Sequence, residues 1–115
     1  ANPLACTAAL TSTQILLQSD WQKNIKRIET QLNEGLTVCN TFEYVNDVRV
    51  LGAIGVVEMK QPVDMKRVTK AFINASVWIR PFGKLVYLMP PFIIKNNDLS
   101  KLIDALVDTV KNYTL

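Results

Sequence analysis

From Leu99 to Val110 the apolar residues Leu99, Leu102, Ile103, Leu106, Val107 and Val110 recur at steps of three and four, the clearest helical period in the chain. A helix with one apolar stripe has to lay that stripe on something. Pro90-Pro91 lies just upstream, removing two backbone donors and stopping any strand before it, and Asn97 or Asp98 is placed to cap the helix start. The surface that could receive the helix is Val45 to Met59, rich in Val and Ile, which reads as one or two strands. Gly52 and Gly55 interrupt that run where a strand would bulge or let another backbone approach. One-sided helices set against β material predict an α+β fold: a two-layer sandwich whose sheet is mostly antiparallel, with helices on one face.

The remaining segments fit that plan. Asn2 can cap, and Pro3 can open, a helix running to about Gln18, whose apolar residues Leu4, Leu10, Ile15, Leu16 and Leu17 spread around most of its circumference. Such a helix wants cover on more than one side. Ser19 or Asp20 can cap a second helix with Trp21, Ile25, Ile28, Leu32 and Leu36 on one face, and Lys23, Lys26, Arg27 and Glu29 turned away. Asp64 can cap a short helix with Met65, Val68 and Phe72 inward. Val77–Arg80 reads as a short strand, Pro81-Phe82-Gly83 as a turn, and Leu85–Met89 as the return strand of a hairpin.

Composition narrows the chemistry. The chain has 115 residues, 49% hydrophobic and 20% charged, which is one domain's worth of ordinary globular sequence. It contains no histidine, so Ser/His/Asp and Cys/His catalysis are excluded, and two cysteines cannot close a four-ligand zinc site. Cys6 and Cys39 lie far apart and match no CxxC pattern, which suits reduced thiols in a cytoplasmic protein. No apolar run approaches the ~20 residues of a membrane span. The net charge of +3 is scattered and gives little for nucleic acid to grip. Asp104 and Asp108 share a helix face opposite the apolar stripe, beside Lys101 and Lys111, and read as solvated surface.

The segment from Trp78 to Pro91 is different in kind. Alternation puts Trp78 and Arg80 on one side and Val77 and Ile79 on the other, so Arg80 emerges beside the rigid Pro81. A guanidinium held there offers its fork of donors to a planar carboxylate, a geometry that Lys cannot copy. A surface arginine in a local ion pair is the competing reading. Tyr87 on the return strand could orient a ligand, or could be a half-buried sheet tyrosine.

Asn2-Pro3-Leu4-Ala5-Cys6, the run Asp47 to Glu58, and Val77-Trp78-Ile79-Arg80-Pro81-Phe82-Gly83-Lys84 leading to Met89-Pro90-Pro91 resemble the carboxy-terminal part of the class III aminotransferases. The Trp-Ile-Arg-Pro-Phe-Gly-Lys block is the most specific of these. Many relatives carry an Arg three residues before the Pro-Pro, where this chain has Tyr87, and lack a counterpart of Arg80, a departure that resembles the biotin-biosynthetic branch. The resemblance implies a fold type I enzyme that uses pyridoxal 5'-phosphate and works as a homodimer. It implies transfer of the amino group of S-adenosylmethionine to 8-amino-7-oxononanoate, giving 7,8-diaminononanoate, with Arg80 binding the substrate carboxylate and Tyr87 nearby. It also implies that the Schiff-base lysine and the other cofactor ligands lie upstream of Ala1, leaving no catalytic or cofactor-binding residue in this chain. On that reading residues 1–36 are a helical lead-in from the large domain and residues 37–115 the small domain. A small RNA- or ligand-binding α+β module, with Trp78, Phe82 and Tyr87 as a stacking platform, is the alternative.

Overall fold

The computed structural model describes residues 1–115. Four α-helices, α1 (Pro3–Gln18), α2 (Trp21–Leu36), α3 (Met65–Asn74) and α4 (Asn96–Lys111), accompany three strands, β1 (Val45–Leu51), β2 (Ile54–Met59) and β3 (Leu85–Leu88). The sheet is antiparallel throughout in the order β1-β2-β3, as the two-layer reading expects. A 3-10 turn, Thr37–Thr41, carries the chain from α2 toward the sheet.

Alternation along the strands sorts the sheet into two faces. Val57, Met59, Val86 and Leu88 point inward, where Ile28, Leu32 and Leu36 of α2 and Leu99, Ile103, Leu106 and Val110 of α4 meet them. Val68 and Phe72 of α3 complete the same continuous core. Gly55 sits under α2, where a Cβ would stand 2.7 Å from Leu36 Cδ1 and would force that side chain to shift. Gly52, by contrast, makes no bulge. It occupies the first position of the two-residue turn between the paired Leu51 and Ile54, at φ +56°, which matches the twist of a tight hairpin. The register irregularity falls instead between Val45 and Asp47.

Several local expectations are corrected. Val77–Arg80 is not a strand: only the Phe82–Leu85 bridge forms before the two arms part. Pro81, whose ring fixes φ near −65° rather than the more extended value of a ladder, is buried there. The turn is centred on Gly83-Lys84, because Phe82 and Leu85 exchange both backbone bonds at 2.8 Å and Gly83 takes φ +57°. β3 therefore pairs with β2, from Gly55–Leu88 to Glu58–Leu85. Met65 is exposed while Val68 and Phe72 are buried. Neither Asn97 nor Asp98 caps α4; Lys95 holds the cap position, and Asp98 sits in the first turn, where a carboxylate suits the helix dipole. Arg27 is not turned to solvent either. It donates to the Asn96 side chain and to the Ile94 carbonyl (2.7 Å), and Gln31 reaches Ser100 Oγ (2.9 Å), so α2 grips the start of α4.

Two termini are built differently. Asn2 Oδ1 accepts from the backbone of Leu4 (3.0 Å) and Ala5 (3.3 Å), the expected cap of α1. At the other end the Tyr113 hydroxyl accepts from the Asp64 amide (3.0 Å), and Arg67 donates to the Thr114 carbonyl (2.6 Å) while lying over the Tyr113 ring. That clasp ties the chain end to α3. The start of α3 is itself capped by Asp64, which accepts from the Arg67 amide at 3.0 Å, as its sequence position indicates.

Candidate functional site

The route to Arg80 begins at the end of α3. Ser76 adopts φ +58°, its amide donates to Ile73 and that of Val77 to Phe72, a left-handed helix stop that turns the chain sharply. Inside–outside alternation then holds without a ladder: Ile79 and Pro81 are buried, while Trp78 and Arg80 are exposed. Arg80 is thus fixed by two buried neighbours and aims its side chain outward.

Beside it stands Tyr87. The register Arg49–Val56–Tyr87 puts these three in one row on the sheet face away from the helices, and Tyr87 is half-buried between the buried Val86 and Leu88. Arg80, Tyr87, Trp78, Met89, Pro90, Pro91 and Leu102 line one groove of about 320 Å³. The structure brings the two sequence-predicted residues to the same cleft. Leu102 was legible only as part of the α4 stripe; its half-buried edge closes the groove, which periodicity alone does not separate from the core.

The arginines of the chain show which guanidinium is free for a ligand. Arg27 is bonded to Asn96 and Ile94, and Arg67 to Thr114. Arg49 donates to Asp47 and to Glu58, both at 2.7 Å, and these bonds, Asp47's first, hold it further above the ordinary arginine value. Ion pairs join only Lys26 to Glu29 and Arg49 to its two carboxylates. Arg80 alone has no internal partner, so the local ion pair that competes with a binding role is absent. Its groove pairs a planar cation with an apolar wall of Trp78, Met89 and the two prolines, a combination suited to a carboxylate at the end of an aliphatic chain.

The residues present do not fit a pyridoxal phosphate site. Every lysine of the chain is exposed, whereas a lysine that condenses with a carbonyl cofactor is activated by desolvation or a cationic neighbour. Asp104 and Asp108 are exposed on α4, as a solvated face requires. Burial pushes the Cys39 thiol up to about 11, which keeps it protonated and unreactive at neutral pH. No helix is long and apolar enough to cross a membrane.

Comparison with known proteins places this geometry in a family. The model of the class-III aminotransferases matches residues 1–110. The adenosylmethionine-8-amino-7-oxononanoate aminotransferase of Corynebacterium glutamicum is 47% identical over 111 residues, covering 96% of this chain and 26% of that protein. The crystal structure of the enzyme of the same name from Methanocaldococcus jannaschii superposes with a TM-score of 0.86 at 27% identity, over 99% of this chain and 28% of its own. An amine transaminase from an uncultivated Pseudomonas species, solved in its PLP-bound form, gives a TM-score of 0.81 at 26% identity over 94% of this chain and 27% of its own. The chain thus spans about a quarter of the length of the relatives it matches. With the family model running from Ala1 through nearly all of α4, and the same arrangement of helices and sheet recurring at 27% identity, the chain belongs to the class-III aminotransferases.

Proposed function

We propose that this chain is the carboxy-terminal domain of a cytoplasmic, homodimeric aminotransferase of biotin biosynthesis that moves the amino group of S-adenosylmethionine to 8-amino-7-oxononanoate. The observation that carries the reading is Arg80: the one arginine without an internal partner, at the mouth of an apolar groove. Pyridoxal phosphate, the cofactor the family implies, would be held by residues outside this chain and would supply the amino-carrying chemistry there. This chain's part is recognition. Arg80 binds the substrate carboxylate through two parallel N–H donors, Tyr87 orients the adjoining atoms, and Trp78 with Met89 covers the aliphatic stretch. The names of the relatives support this choice of substrates.

The RNA-binding alternative loses its platform, because Trp78 and Phe82 leave the sheet on an irregular segment and only Tyr87 stands on a strand. Arg80→Ala in the full-length enzyme tests the proposal. Loss of a charged contact whose partner stays buried costs about 2–5 kcal/mol, so kcat/KM should fall about 30-fold or more, and Arg80→Lys should be nearly as damaging. Unchanged kcat/KM for both substrates would show that Arg80 binds neither.

A further inference from the structure

The arm that carries Arg80 is tied down at its two ends. At one, the Val77 amide donates to the Phe72 carbonyl at 3.0 Å, just after Ser76 turns the chain at φ +58°. At the other, Phe82 and Leu85 exchange both main-chain bonds at 2.8 Å. Between these ties, Trp78, Ile79, Arg80 and Pro81 make no main-chain hydrogen bond with any other part of these 115 residues. A strand within a sheet has its side chains aimed by the ladder, so this arm is aimed by other means. Two are present. Ile79 is only 3% exposed and belongs to the same continuous core as Phe72, Val86, Leu88 and Leu106. Its β-branched side chain has few rotamers, so seating it in a close-packed core fixes where the chain lies one residue before Arg80. Pro81 is buried as well, and its ring restricts the residue before it, keeping the backbone of Arg80 out of the helical region.

We infer that Ile79 and Pro81 are positioning residues for Arg80: Ile79 sets where the guanidinium's backbone lies, and Pro81 sets the direction in which the side chain leaves it. The inference rests on the reading of Arg80 as the partner of the substrate carboxylate. A guanidinium held in this way meets the carboxylate already oriented, and the cost of ordering the arm is met when the chain folds rather than when the substrate binds. Pro81 and Ile79 act on the reaction through Arg80. That separates them from residues such as Leu106, whose place in the core serves stability alone, and it predicts that their influence vanishes once the guanidinium is gone.

The test is a mutant cycle in the full-length enzyme, with Pro81→Ala and Ile79→Ala each made alone and together with Arg80→Ala. Every variant is assayed with the oxononanoate substrate and with its neutral carboxamide. Pro81→Ala and Ile79→Ala should each lower kcat/KM for the carboxylate substrate about tenfold, and by less than about twofold when Arg80 is already alanine or the substrate is the carboxamide. Ile79→Val, which keeps the branched stem, should stay within about threefold of wild type. If Ile79→Ala does not fold, Pro81→Ala decides alone, because it leaves the core side chain in place. Equal losses with and without Arg80, or wild-type kcat/KM in Pro81→Ala, overturn the inference while leaving the role of Arg80 intact. Wild-type kcat/KM in Arg80→Ala alone removes that role, and the positioning of Arg80 falls with it.

Discussion

α1 and α4 are both 16 residues long, yet α4 buries five residues and α1 none. Their ends do not explain it. α1 has the better cap, with Asn2 satisfying two amides and Pro3 in the first turn, whereas no side chain caps α4. The difference lies in how apolar groups are distributed. On α4 they share one face, and Lys101, Asp104, Asp108 and Lys111 are exposed elsewhere on the helix. On α1 they point in several directions with no charge between them, and none of them joins the core that these 115 residues build. Capping and propensity decide whether a helix forms; the angular spread of its apolar groups decides what it needs as cover.

That contrast can be broken by substitution. The largest effect is expected at Leu106 of α4, fully buried in the core, where Leu106→Ala should lower stability by about 2–5 kcal/mol in urea unfolding. A loss below about 1 kcal/mol would mean that the α4 stripe is not the keystone of the core.

The cysteines sharpen the same comparison, because Cys6 lies exposed on α1 and Cys39 is buried beside α2. Maleimide should modify Cys6 rapidly in the native chain and Cys39 only after unfolding. Because the folded Cys39 pKa is raised from 9.0 to about 11, its contribution to stability is complete below pH 9 and is lost as the pH climbs toward 11. Cys39→Ala should remove that part of the alkaline decline. Identical declines in both proteins would show that Cys39 ionises as freely in the fold as outside it.

Smaller effects follow. Ser76 pays a left-handed backbone strain at φ +58°, so Ser76→Gly should stabilise by about 0.5–1 kcal/mol, seen as a higher thermal midpoint; destabilisation would mean that the Ser side chain supports this turn. Smallest of all is Leu4→Ala on α1, expected within about 0.5 kcal/mol of wild type. A loss comparable to that at Leu106 would place α1 inside the fold.

The helices and the antiparallel sheet were legible because each has a local signature: the three-four stripe of α4, the Asn2-Pro3 start, the Asp64 cap. The segment from Val77 to Pro81 misled because alternation and a Pro-Gly pair look like a hairpin, while the observed path depends on Ser76 turning left-handed and on Ile79 and Pro81 sinking into the core, neither of which a local pattern records. Arg80 and Tyr87 were legible as candidates from alternation and from the family resemblance. That Arg80 lacks a partner was not, because it depends on where Asp47 and Glu58 spend their charge, on the far side of the sheet register at Arg49. The grip of Arg27 and Gln31 on α4 joins residues almost seventy positions apart, beyond the reach of any periodicity.

The role of Arg80 is tested most directly by removing the charge from each partner in turn. Full-length enzyme and its Arg80→Ala variant are each assayed with the oxononanoate substrate and with its neutral carboxamide counterpart. If Arg80 holds the carboxylate, neutralising the substrate lowers kcat/KM of the wild type about 30-fold or more and that of the variant by less than about threefold, because the interaction is already gone. Equal losses in both enzymes would contradict the assignment and put the carboxylate elsewhere.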